Sequence, residues 1–208
     1  MSETNDPIVI VGQARTPIGG LVGDLSEVSA TALGSTAISA AVSRAGLETD
    51  AVDEVIMGCV LPAGLGQAPA RQAALGAGLP KSTGCTTINK VCGSGMKSIM
   101  LAHDLLIAGT NKVMVAGGME SMSRAPHLIP QARTGYRFGH GKLLDHMAFD
   151  GLEDAYEGEA MGVYAESCAD KYSFTREAQD EYAITSLKRA QAAIESGAFE
   201  EEITPVTY

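Results

Sequence analysis

The sequence predicts an α/β protein in which helices pack on a largely parallel sheet. Short apolar runs bounded by turn formers alternate with helix-periodic segments over residues 1–120. The connections between them have the lengths usual for strand–helix units. The composition points the same way: 24 glycines and no tryptophan among 208 residues suit layers whose backbones approach closely.

Pro7 to Gly12 (PIVIVG) reads as a buried first strand, and ARTPIGGLVG, from Ala14, as a loop. Ser29 to Ala45 carries Leu33, Ala37, Ile38, Ala41 and Val42 at helical spacing, closed by Gly46. Val52 to Met57 is the second strand, and a Gly/Pro loop leads to a short helix from Arg71 to Gly78. Cys85 to Val91 is the third strand. Gly93 to Gly109 is a helix with a broad apolar face (Met96, Ile99, Met100, His103, Leu106, Ile107), expected to be buried on most sides. Lys112 to Ala116 is the fourth strand. From Ser121 to Asp170 the periodicity stops and the chain reads as loop-rich. An amphipathic helix follows, with Thr175 as N-cap, Ala183, Leu187, Ala190 and Ile194 as its stripe and Gly197 as its stop. EEITPVTY reads as the start of a strand.

A formal net charge of −10 argues against nucleic acid or an anionic membrane as the main partner. No apolar run reaches the length of a membrane span. The N-terminus, polar and then strand-like, does not read as a signal peptide. Four cysteines without CxxC spacing, and histidines at no ligand spacing to them, predict free thiols, no zinc site and a cytoplasmic setting.

Within this frame NKVCGSGMKS, Asn89 to Ser98, places a cysteine where a strand gives way to a helix. A helix N-terminus presents unpaired N–H groups and partial positive charge, which favour a thiolate over a thiol. Following glycines open the approach for a substrate carbonyl, and the Cys92 N–H can receive an oxyanion. The competing reading is a small buried residue at a strand–helix joint. CGSGMKS is not a phosphate loop, because Met96 separates Gly95 from Lys97. GSG also lacks the third glycine of a dinucleotide fingerprint.

These residues resemble the block around the acylated cysteine of the thiolase family. GGMESMSRAPH (117–127), ARTPIGG, DGLEDAY, MGVYAE and FTREAQDEYA resemble other blocks of that family, in the same order. The resemblance implies a layered αβα fold with two similar halves, of which this chain is the N-terminal one. Residues 1–120 would form its βαβ-type domain, incomplete. Residues 121–208 would form a loop domain inserted into it, truncated before the chain returns to the sheet. The implied chemistry is acyl transfer from coenzyme A thioesters to Cys92, then condensation with acetyl-CoA to acetoacetyl-CoA, or the reverse thiolysis by CoA. VCGSGMK is similar to the short-chain, acetoacetyl-CoA-forming members. By residue, the resemblance carries Cys92 to the nucleophile, and Leu152 and Met161 to positions near the pantetheine and acyl part of the substrate. Ala160 stands where many relatives have histidine. No permanently bound cofactor or metal is implied; the coenzyme A thioester is substrate. A homodimer or tetramer is implied, with Cys85 to Val91 near a subunit interface.

The family's later blocks, including its second catalytic cysteine and Gly-His-Pro histidine, are not in this sequence. His140 reads as a surface residue, His103 as a core residue, and His127 and His146 as loop residues. Cys59, Cys85 and Cys168 read as packing residues, Lys97 as a snorkelling helix lysine, and Glu200 to Glu202 as a solvated face. Condensation needs a base and an enolate oxyanion site. The expectation is therefore one part of an enzyme: a truncation, a nicked chain or a split-gene subunit, whose C-terminal half lies on the same or a separate chain. Such a part would leave a sheet edge and an apolar face uncovered. Two alternatives stand beside this reading. One is a β-ketoacyl synthase-like condensing enzyme. The other is a non-catalytic acyl-CoA-binding or assembly module, favoured by the missing blocks and opposed by the retained Cys-Gly-Ser-Gly.

Overall fold

The computed structural model describes residues 7–208; the polar stretch before Pro7, on which the signal-peptide reading rests, lies outside them. The centre is a three-stranded parallel sheet of β1 (Glu54–Gly58), β2 (Gly84–Ile88) and β3 (Met114–Gly118), in the order β2-β1-β3. Glu54 stands opposite Gly84 on one side and Met114 on the other, and Gly58 opposite Ile88 and Gly118. All three strands thus end at one level.

Side chains alternate across β1 as the period-2 rule requires. Val55 and Met57 join a buried core with Ala30, Ile38 and Val42 of α1 (Ala30–Arg44) and Ala70, Ala73 and Ala74 of α2 (Pro69–Gly76). Gly58 lies on the opposite face, against α3 (Ser94–Ile107). Helices therefore cover both faces, in αβα layers. Each fully buried Val or Ile in this core stabilises it by about 1.5–3 kcal/mol. α1 begins where its sequence signal lies: the Ser29 hydroxyl accepts from the Ala32 N–H at 3.2 Å, a cap worth about 1 kcal/mol. It ends before Gly46, whose φ of +67° suits glycine.

Beyond β3 come a short antiparallel pair, β4 (His127–Leu128) with β5 (Leu144–Asp145), and a π-helical turn over Ala148–Leu152. Two helices follow, α4 (Met161–Tyr172) and α5 (Arg176–Glu195). The predicted N-cap of α5 is present, Thr175 Oγ1 accepting from the Ala178 N–H at 3.2 Å.

Several expectations are corrected. Pro7 to Gly12 forms no strand and pairs with no described strand, and Val9, Ile10 and Val11 are exposed. It runs instead along the end of α1, where a Cβ on Gly12 would meet the Ala41 carbonyl oxygen. The broad apolar face of α3 is not the buried one: Met96 is 72 % exposed, and Ser94, Ser98 and Ala102 are buried. The helix lies so near the sheet that only small residues fit beneath it. His103 is therefore not a core residue; its side chain is 58 % exposed, beside Asp104.

Most of α4 falls inside the stretch read as loop. Its Cys168 is exposed rather than packed. The α5 stripe is present but uncovered, Leu187 being 59 % exposed. The final segment contributes one bridge, Arg15 with Ile203, rather than a strand. Glu202 is not merely solvated: it pairs with Arg15 at 3.0 Å, and its carbonyl accepts from Arg44 Nη1. His146, read as a loop residue, is 4 % exposed. It opens the helical turn after β5, with both ring nitrogens bonded.

Candidate active site

The chain leaves β2 at Ile88 and must turn sharply to enter α3. Asn89 makes the turn, its Oδ1 accepting from the Val91 N–H at 2.8 Å. The Asn89 amide also donates to the Val60 carbonyl at 3.4 Å. Ser94 locks the other end: its hydroxyl donates to the Val91 carbonyl at 2.6 Å and accepts from the Lys90 N–H at 2.8 Å. Between these fasteners Val91 has φ +47°, an unusual conformation for a β-branched residue. Cys92 follows at once, exposed, with Gly93 as the N-cap of α3. Among the hydrogen bonds of the described residues, none uses the Cys92 N–H. An exposed sulfur and a free donor thus stand together at a helix N-terminus, the pair that acyl transfer to sulfur requires.

A cavity of about 420 Å³ opens in front of them. Its walls come from the carboxyl ends of β1 and β3 (Gly58 and Gly118), the β1 exit loop (Val60, Leu61) and the π-helical turn (Gly151, Leu152). Crevices at the carboxyl ends of parallel strands are where open α/β sheets take ligands. Of the substrate-binding residues expected from sequence, Leu152 lines this cavity with Cys92. Met161 does not; it begins α4, half exposed. A bridge between Glu153 and Ala160 closes the loop separating the two. Within that loop the Asp154 carboxylate accepts from the Glu157 and Tyr156 N–H groups, bonds that hold it below the ordinary carboxylate range.

Glu120 also lines the cavity, and the sequence reading assigned it no role. Its two oxygens accept from the Val60 N–H at 2.7 Å and the Leu61 N–H at 3.1 Å, fixing the β1 exit loop. The available signal was a lone carboxylate following the Gly117-Gly118 strand end. Beside it lies Cys59, whose thiol is pushed up to about 12, first by burial and then by the Glu120 charge. Cys59 is thus a packing residue, as expected, and Cys85, raised by burial, packs against the same core. Neither His127 nor His140 is buried, and neither lines the cavity.

Residues 8–208 match the family described as Thiolase, N-terminal domain. Among curated proteins, acetyl-CoA acetyltransferase 2 of Arabidopsis thaliana is 56% identical over 207 residues, covering 99% of this chain and 51% of the relative. A cytosolic acetyl-CoA acetyltransferase of Gibberella zeae is 53% identical, over 96% of this chain and 50% of its own length. A mitochondrial acetyl-CoA acetyltransferase of Bos taurus is 53% identical, over 98% and 48%. The chain spans about half the length of the curated relatives it matches. With the sheet, its covering helices and the matched span in agreement, this chain belongs to the thiolase family, as an N-terminal domain of layered α/β architecture.

Proposed function

We propose that this chain carries the acyl-accepting cysteine of an acetyl-CoA C-acetyltransferase. The observation that carries the reading is the cavity at the strand ends, into which Cys92 and Leu152 both face. The Cys92 thiolate attacks the thioester carbonyl carbon of acetyl-CoA. A carbon–sulfur bond forms and the oxyanion is received by the Cys92 N–H; its collapse breaks the carbonyl carbon–sulfur bond to CoA, which leaves as the thiol with the proton given up by Cys92. In the second half a base removes an α-proton from another acetyl-CoA. The resulting carbanion attacks the acyl-cysteine carbonyl, releasing Cys92 as thiolate and acetoacetyl-CoA as product. Thiolysis is the same sequence reversed. Leu152 and Met161 lie near the pantetheine and acyl part of the substrate, Leu152 as an apolar wall of the cavity.

The base and the enolate oxyanion site come from residues outside this chain, on a continuing polypeptide or a partner. Two observations support this. Among the described residues lining the cavity, Glu120 is the only carboxylate, and both its oxygens already hold the β1 exit loop. The named relatives are also about twice as long. The exposed apolar residues of α3 (Met96, Met100, Ile107) and of α5 support burial in a homodimer or tetramer or against that further half. The same reading divides the chain at residue 120 into the βαβ-type domain and the inserted loop domain. Its setting is the cytoplasm, supported by four free cysteines and by the cytosolic relative. Among the described residues no helix is long and apolar enough to cross a membrane. The test is incubation with acetyl-CoA and mass spectrometry of the Cys92 peptide. An acetyl group on Cys92, lost in Cys92→Ser, supports the reading. An unmodified Cys92 in the complemented enzyme overturns it in favour of a binding module.

A further inference from the structure

The turn that supplies Leu152 to the cavity is held by a buried imidazole. His146 is 4 % exposed, the one buried histidine of the four. Its Nε2 accepts from the Ala63 N–H at 3.4 Å, which leaves the ring proton on Nδ1, donated to Asp150 Oδ2. The His146 N–H donates to the Pro126 carbonyl at 3.1 Å, anchoring the start of the turn beside β4. His146 and Asp150 thus clasp the π-helical turn, whose wide winding is seen in the Glu153 N–H donating to the Ala148 carbonyl at 2.9 Å.

Each partner of the ring flanks a cavity wall. Asp150 precedes Gly151 and Leu152, and Ala63 follows the exit loop that carries Val60 and Leu61. The two walls touch: a Cβ on Gly151 would stand 3.4 Å from Leu61 Cδ2. A histidine that only satisfied the core would have no reason to join the two segments lining the Cys92 cavity.

We propose that His146, through Asp150 and the Ala63 N–H, is a positioning residue that sets the spacing between the Leu61 and Leu152 walls and so the fit of the acyl chain at Cys92. As stated for acyl-CoA, the inference rests on Cys92 being the acyl acceptor. The imidazole does not line the cavity; it acts through the loops. Removing it frees the Ala63 N–H and lets the turn relax away from Leu61.

The test compares wild type with His146→Ala, His146→Asn and His146→Gln in the full chain, following Cys92 by peptide mass spectrometry. Asn keeps a donor for Asp150, and Gln keeps an acceptor for Ala63. With acetyl-CoA, His146→Ala raises the half-saturating concentration for Cys92 acetylation by about tenfold while the saturated rate changes by less than about threefold. Asn and Gln each restore part of the loss. Iodoacetamide, too small to feel the walls, alkylates Cys92 at the wild-type rate. N-Octylmaleimide and N-methylmaleimide label Cys92 in a ratio that shifts by about threefold or more, because only the longer reagent needs the apolar walls. An unchanged maleimide ratio overturns the proposal whatever happens with acetyl-CoA, and so does a parallel loss with iodoacetamide. If wild-type Cys92 is not acetylated even in the complemented enzyme, the functional reading fails, and the maleimide ratio still decides the role of His146. Should His146→Ala fail to fold, the Asn and Gln variants carry the same comparison.

Discussion

Gly58 and Ser94 stand so close that a Cβ on Gly58 would lie 2.5 Å from Ser94 Cβ and 2.7 Å from the Ser94 carbonyl carbon. This contact seats the first turn of α3 on the end of the central strand. Because Ser94 also fastens Val91 and Lys90, it carries the position of Cys92 with it. The obstacle includes backbone, so a rotamer change does not relieve it. Gly58→Ala is expected to cost about 1–3 kcal/mol as an overpacking change. It should also slow Cys92 acetylation by more than it lowers stability. Urea unfolding and peptide-resolved acetylation rates measured on the same sample check this. A variant with wild-type acetylation would show that the Gly58–Ser94 contact does not place the cysteine.

Val91 holds a left-handed conformation that costs an L-residue about 1–2 kcal/mol. Val91→Gly removes that cost and adds the entropy of a freer chain, about 0.5–1 kcal/mol. The net expectation is a protein as stable as wild type or up to about 1.5 kcal/mol more so. The same change loosens the peptide that aims Cys92, so the acetylation rate falls. Greater stability with lower reactivity would mark Val91 as strain held for function. A loss of stability would show that the Val91 side chain contributes packing that outweighs the strain.

Much of the order of strands and helices was legible because some elements of the first half carry their own punctuation, such as Ser29 before α1 and Gly46 after it. Thr175 did the same for α5. What failed to show depends on distance rather than composition. PIVIVG has the residues of a strand, but pairing is a long-range event, and these residues have no partner in the described chain. In α3 the period was right and the buried face wrong, because large apolar residues dominate any count by size. The close approach of Gly95 to Gly118 requires small residues beneath the helix. α4 escaped notice because Ala160 provides no side-chain cap and Ser173, not glycine, takes the left-handed stop. Of the residues lining the cavity, Cys92 stands out from its neighbours in sequence and Leu152 from the resemblance. Glu120 and His146 were not, since each acts on a loop some sixty or more residues away.

The four thiols should separate by chemistry. Cys92 and Cys168 are exposed, whereas Cys59 is buried and pushed up to about 12. Cys85 is also raised, mainly by burial. The thiolate is the reacting species, so iodoacetamide near pH 8 should label Cys92 and Cys168 in the folded protein, leaving Cys59 unmodified until denaturant is added. Glu120→Gln removes the charge that raises Cys59 but not the burial, so Cys59 stays protected. Peptide mapping after timed quenching reads the order. Early labelling of Cys59 would show that the β1 exit loop opens in solution.

Acid should weaken the base of the sheet through Asp53. Its Oδ2 accepts from the Lys112 N–H at 2.7 Å and the Val113 N–H at 3.0 Å, joining the start of β1 to the approach to β3. The Val113 and then the Lys112 N–H bonds favour the charged carboxylate, so its pKa is lowered on folding. A depressed folded-state value means that the contribution is fully present above the unfolded value, about 3.9. It is lost as pH falls through the folded one. Asp53→Asn keeps an acceptor but no charge. The variant should therefore be less stable than wild type at neutral pH, and the gap should narrow only once pH drops below about 4. Urea midpoints taken in steps from neutral to strongly acidic pH give the comparison. A gap that stays constant to the acid limit would show that geometry rather than charge makes the Asp53 contribution, and a gap that opens on acidification would reverse its sign.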